Sequence, residues 1–290
     1  MLAGVRGFGE MRRSYQPGPP AHVPGQIGYT CDALPALDME TDCVVLVTGA
    51  ARRIGAGIAR HLHALGCSVA LHYRHSADDA LRLAASLNET RAGSALAIAA
   101  DLSSAQQCAR LVDAAANWKN RLDALVNNAS SFYRTPLGSI DERQWSELVD
   151  GNLKAALFVT QAAAPWLRLS GGAVVNLCDV NTERPLPQFS VYTAAKAGIV
   201  ALTRAHALEL APQVRVNAIS PGSLDWPELP VFSDEERRAA EASIPLGRLG
   251  TARDVARAVE FLLFGNDYVT GHVLNVDGGS SLVSRWAGPH

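Results

Sequence analysis

The 290-residue chain is 48% hydrophobic and 19% charged, enough apolar material for one well-packed domain, which excludes a chain disordered throughout. A formal net charge of −2 supplies no basic field for nucleic acid, and the apolar runs are too short and interrupted to predict a membrane-spanning helix. Five scattered cysteines (Cys31, Cys43, Cys67, Cys108, Cys178) form no C-x-x-C pair and have no histidines at zinc-ligand spacing, which points to buried thiols in a reducing cytoplasm, with no metal site.

Residues 1–38 are rich in Gly and Pro, include Pro17-Gly18-Pro19-Pro20 and lack sustained periodicity. They are expected to be a flexible N-terminal extension ahead of one domain over 39–290, with Arg12 and Arg13 leaving a targeting role open. From Cys43 onward, β-rich runs alternate with amphipathic stretches. Strands are predicted at 44–48, 68–73, 95–100, 124–127, 173–178, 215–219 and 272–276, and helices at 54–65, 77–90, 105–118, 141–169, 192–210 and 253–264. Each parallel return needs a crossover, so the pattern predicts an α/β Rossmann fold: a doubly wound, seven-stranded parallel sheet with helices on both faces. The irregular stretch from Pro221, followed by acidic helical residues to about 241, falls just after the sixth strand. Such sheets bind ligands at that edge, which makes 221–241 a candidate substrate loop or lid; an ordinary surface excursion is the alternative.

Thr48-Gly49-Ala50-Ala51-Arg52-Arg53-Ile54-Gly55 leaves a Val/Leu strand and opens a helix, the setting in which a glycine pattern carries meaning. Gly49 allows the tight turn, Gly55 close packing, and the free N–H groups at the helix start can receive a pyrophosphate. At the end of the second strand, where an NAD enzyme usually has a carboxylate, stand Tyr73-Arg74-His75-Ser76. Arg74 with Arg53 offers planar donor forks for a 2′-phosphate, and His75 and Ser76 add donors, which favours NADPH; a solvated basic turn is the alternative. Asp101-Leu102 closes the third strand and Asn127-Asn128-Ala129-Ser130 the fourth. Small polar residues therefore recur along the edge where the adenine and nicotinamide ribose would lie, although each also suits a cap or a turn.

Tyr192 and Lys196 fall at i and i+4 on one face of a predicted helix. A cation beside a phenol favours phenolate, so Lys196 is expected to lower the Tyr192 pKa. Together with the T-G-x-x-x-x-x-G loop, Asn127-Asn128-Ala129, Asn152, Pro221-Gly222 and Asp277-Gly278-Gly279, in that order, this pair makes Thr48 to Gly279 resemble the short-chain dehydrogenase/reductase family. The resemblance implies that Tyr192 donates a proton, Lys196 holds the nicotinamide ribose and Asn152 supports a water relay. It also places Ile54, Tyr73, Leu102, Asn128, Ala129, Pro221, Gly222 and Ser223 beside the cofactor.

Arg53 stands where most members have the middle glycine of the loop, and Asp179 stands thirteen residues before Tyr192, where most have a serine. An ionised aspartate repels a developing alkoxide, so a plain ketone fits poorly. A carboxyl kept partly protonated by burial suits a nitrogen heterocycle that gains protons on reduction. These departures, with T-G-A-A-R-R-I-G, H-Y-R-H-S and N-N-A-S-S-F-Y-x-T-P over 127–136, resemble the pteridine reductase branch. That resemblance implies that Phe132 stacks on a pterin against the nicotinamide, that Ser130 and Arg53 contact pterin or cofactor phosphate, and that Asp179, Tyr192, Pro221 and Leu224 border the substrate. For Phe132, an ordinary loop anchor is the alternative. The implied activity is NADPH-dependent reduction of dihydropterin, or of oxidised pterin or dihydrofolate, in a homotetramer packed through helices 141–169 and 192–210. A carbonyl reductase for a 3-oxoacyl thioester or sugar ketone is a rival reading. A non-catalytic NADP(H) sensor is another, and the intact Tyr192/Lys196 pair argues against it.

Overall fold

The computed structural model describes residues 43–225 and 231–283. The extension expected over 1–38, and residues 226–230 of the expected substrate loop, lie outside the described residues.

The strands are β1 (Val44–Val47), β2 (Ser68–Tyr73), β3 (Ala95–Ala99), β4 (Ala124–Asn127), β5 (Ala173–Leu177), β6 (Arg215–Pro221) and β7 (Val273–Val276). The helices are α1 (Arg53–Ala64), α2 (Ala77–Thr90), α3 (Ala105–Lys119), α4 (Glu142–Val149), α5 (Ala155–Ser170), α6 (Ser190–Leu210), α7 (Asp234–Ala242) and α8 (Ala252–Leu263). All seven strands are parallel, in the order β3-β2-β1-β4-β5-β6-β7. This is the doubly wound sheet predicted from the alternating pattern.

Side chains on a strand alternate between the two faces, and both faces are covered here, which is why the strands read as continuous Val/Leu/Ala runs. Val45, Val47, Val69, Leu71, Val126 and Val175 form one core with Ile58 and Leu62 of α1 and Val255, Val259 and Leu262 of α8. Val44, Leu46, Leu125, Val174 and Val216 form the other core with Leu111 and Val112 of α3 and Val159 and Leu167 of α5. Fully burying each such side chain stabilises the fold by roughly 1.5–3 kcal/mol. Helix ends follow local chemistry: Asp141/Gln144, Ser233/Glu236 and Thr251/Asp254 form capping boxes, while Asn120 (φ 54°) and Gly171 (φ 64°) close α3 and α5 in the left-handed region.

The chain moves outward from β1 to β2 on one side, and β4 takes up the other side of β1. The winding reverses there, so a crevice opens at the carboxyl ends of β1 and β4, and the glycine loop and the Asn127-Asn128-Ala129 segment both lie on it.

The helix predicted over 141–169 is not one regular α-helix. Asp150–Lys154 forms a π-helical turn between α4 and α5 that carries the buried Asn152. The helix expected from Tyr192 begins two residues earlier, at Ser190.

Candidate active site

Gly49 turns the chain at φ 63°, and a Cβ there would lie 2.9 Å from the Cα of Ala129. Gly55 is more constrained: a Cβ would sit 2.2 Å from the Gly49 carbonyl oxygen and 2.6 Å from Asn128 Nδ2. Asn128 Nδ2 donates to the carbonyls of Thr48 (2.9 Å) and Gly49 (3.0 Å), while Thr48 Oγ1 accepts from the N–H groups of Asn128 and Ala129. Asn128 and Ala129 therefore brace the turn. The backbone N–H groups of residues 51–55 have no acceptor among the described residues. Those donors at a helix start, beside a glycine that a Cβ would block, fit the pyrophosphate of a dinucleotide. Arg53, at φ 50°, is exposed and donates through Nη2 to the Asp225 carbonyl (2.9 Å), tying the glycine loop to the segment after β6.

Along the same edge, the Tyr73 carbonyl accepts from Ala100 N–H at 3.1 Å, and Leu102 is buried. Arg74 and His75 are exposed, and Arg74 Nη2 lies 3.2 Å from Asp101 Oδ2. A half-exposed pair of this kind is weak and can give way to a stronger anion. Ser76 is the N-cap of α2 without a side-chain cap bond. At the other end, a Cβ on Gly222 would lie 2.7 Å from the Cα of Asp277, so the chain must pass closely there. Pro221 ends β6, the Ser223 carbonyl accepts from Gly250 N–H (3.0 Å), and Leu224 bridges to Gly250.

The carboxyl end of β5 and the start of α6 bring Asp179, Tyr192 and Lys196 together. Tyr192 Oη donates to Asp179 Oδ2 at 2.6 Å, and Asp179 Oδ1 accepts from Asn181 N–H at 2.8 Å. Tyr192 is 5% exposed and Lys196 2%. Lys196 Nζ donates to the Leu177 carbonyl (2.8 Å) and lies 5.8 Å from the centroid of the tyrosine ring. Burial pushes the Asp179 pKa up against the lowering effect of the Tyr192 hydrogen bond. The expected lowering of the tyrosine pKa by Lys196 is not found. Burial, and then the Asp179 charge and hydrogen bond, hold Tyr192 well above its ordinary value, because the ammonium is turned to Leu177 while the carboxyl touches the phenol. Burial also lowers the Lys196 pKa.

Asn152, fully enclosed on the π-turn, donates through Nδ2 to the carbonyls of Leu148 (2.8 Å) and Ser131 (3.0 Å). Its Oδ1 accepts from Ser130 Oγ at 2.6 Å. Phe132 lies edge-on to Tyr192 (centroids 4.7 Å, 76°) and stacks on Phe189 (4.7 Å, 9°), with Phe232 at 6.0 Å from both.

Residues 49–281 match a family profile described as Enoyl-(Acyl carrier protein) reductase. The chain is 38% identical to Pteridine reductase 1 of Leishmania tarentolae over 82% of its own length and 96% of that protein's. It is 36% identical to 3beta-hydroxysteroid dehydrogenase 1 of Eggerthella lenta (82% and 93% covered) and 34% identical to the 3-oxoacyl-[acyl-carrier-protein] reductase FabG of Staphylococcus aureus (81% and 96%). A crystal structure from Sinorhizobium meliloti, provisionally assigned as a short-chain alcohol dehydrogenase, superposes with a TM-score of 0.79 at 35% identity, covering 83% of this chain and 97% of the other. The chain belongs to the short-chain dehydrogenase/reductase family.

Short-chain reductases use NAD(P)H, and the glycine turn described above has the donors for its pyrophosphate. No sequence motif brings forward Arg134, Phe189 or Phe232. Arg134 donates to the Val231 carbonyl (3.1 and 3.0 Å) and to Glu236 (2.8 and 3.1 Å), with its guanidinium over the rings of Phe189 (5.3 Å) and Phe232 (5.5 Å). It thereby joins the segment after β4 to the start of α7 beside the aromatic cluster. The three residues lie in different segments, and only their pairing in space makes a pattern; the one local signal is an aromatic one helical turn before Tyr192.

Proposed function

We propose that this chain is an NADPH-dependent pteridine reductase that converts a dihydropterin, or dihydrofolate, to the tetrahydro form. The observation that carries the reading is the 2.6 Å hydrogen bond from Tyr192 to Asp179, a carboxyl where most short-chain reductases have a serine. Bound NADPH would supply hydride to the carbon of a C=N bond. Tyr192, held protonated by its burial, then gives a proton to the ring nitrogen, and Asp179, whose burial favours the neutral acid, returns one to the phenol. Phe132 and its aromatic neighbours provide an apolar border for a flat bicyclic ring. Arg74 and the absence of a carboxylate at the end of β2 support NADPH over NADH, and the cysteine pattern supports a cytoplasmic enzyme.

The test is NADPH and NADH consumption with dihydrobiopterin, dihydrofolate, a 3-oxoacyl thioester and a simple sugar ketone. Turnover of the pterins with NADPH preferred is expected. Activity on the thioester or ketone alone would make the chain a carbonyl reductase, and NADPH binding without turnover of any substrate would make it a sensor.

A further inference from the structure

His72 lies near the end of β2 and is 2% exposed, a polar side chain among Val, Ala and Leu. Its backbone carbonyl accepts from the N–H of Ala50 at 2.8 Å, and its ring Nδ1 is 3.0 Å from the N–H of Gly49. A backbone N–H can only donate, so Nδ1 is the acceptor and carries no proton; Nε2, 3.1 Å from the Ala100 carbonyl oxygen, must then carry it. Two consecutive N–H groups of the glycine turn are thus taken up by one residue. From the opposite side, Asn128 Nδ2 holds the Gly49 carbonyl at 3.0 Å, so the left-handed turn is clamped between β2 and β4. Among the described residues, the donors this leaves free are those of residues 51–55.

We propose that His72 is a positioning residue for the cofactor: as the neutral Nε2–H tautomer it ties the Gly49 turn to the end of β3, so that the N–H groups of residues 51–55 stay presented to the pyrophosphate of NAD(P)H. The inference rests on the family's dinucleotide cofactor and is independent of the pterin assignment. An imidazolium would set N–H against N–H at Gly49. Burial disfavours that form, opposed by the Ala100 bond and by Asp101, which is itself paired with Arg74 at 3.2 Å.

Nitrogen-15 NMR of the free protein should show His72 with Nδ1 unprotonated and Nε2 protonated near neutral pH. His72→Asn places Oδ1 where Nδ1 accepts, whereas His72→Gln reaches toward Ala100 and leaves Gly49 without its acceptor. In fluorescence titrations, the Gln variant should bind NADPH about tenfold more weakly, while the Asn variant stays within about threefold of wild type. Wild-type affinity in His72→Gln, equal losses in both variants, or a ring protonated at Nδ1 would each overturn the proposal. A wild-type chain that binds neither NADPH nor NADH would overturn the cofactor assignment as well. Should His72→Gln not fold, the wild-type tautomer and the affinity of His72→Asn decide.

Discussion

At Asp179 and Tyr192, burial moves two acids in the same direction, and one short hydrogen bond joins them. A carboxyl whose folded pKa is raised contributes stability that is fully present below the ordinary carboxylate range and is lost as pH rises through the raised value. The neutral acid is also the form that can return a proton to Tyr192. Pterin turnover at saturating NADPH should therefore fall as pH rises through the raised Asp179 value, and Asp179→Asn, which cannot titrate, should remove that limb of the pH profile. Asp179→Ser keeps a side chain able to cap Asn181 but loses the acid, so kcat/KM for dihydropterin should drop on the order of a hundredfold with NADPH affinity unchanged. Matched losses in both quantities would show that the residue only supports the turn.

The glycine loop and the π-turn do their work as elements. A methyl group at residue 55 would have to displace a backbone carbonyl and the Asn128 side-chain amide together, and that amide is itself held by the carbonyls of Thr48 and Gly49. Gly55→Ala should thus destabilise the fold by about 1–3 kcal/mol in denaturant unfolding and abolish the stabilisation that NADPH confers. An unchanged midpoint with full NADPH stabilisation would mean the loop relaxes more freely than its contacts imply. The π-turn at Asp150–Lys154 places Asn152 where it holds the carbonyls of Leu148 and Ser131 and accepts from Ser130. Helical periodicity read over 141–169 finds apolar faces in this stretch but does not locate the widened turn, because that turn is defined by its backbone hydrogen bonds and carries no residue-type signature.

At the scale of the whole molecule, Leu169 at the end of α5 is 84% exposed and Leu208 on α6 is 83% exposed, large apolar side chains on the two helices through which the family resemblance places subunits in contact. We propose a homotetramer; light scattering should give four times the 30.8 kDa chain mass, and Leu208→Asp should shift the population toward smaller species. A wild-type monomer would remove the proposal. Among the described residues, no helix is long and apolar enough to cross a membrane.

Much of this organisation is local and was legible in one dimension. Strand and helix order follows from hydrophobic period, the glycine turn from residues that only a tight bend requires, and the Tyr192/Lys196 pair from helical spacing. The clamp of His72 on Gly49, the Arg134 bridge to Glu236 and the stack of Phe132 on Phe189 join residues far apart in the chain, and their side-chain types recur throughout any sequence of this composition. The direction of the Tyr192 pKa belongs to the same class. Spacing pairs the phenol with an ammonium, but packing turns that ammonium to a carbonyl and sets a buried carboxyl against the ring hydroxyl, so desolvation and then the Asp179 charge set the direction.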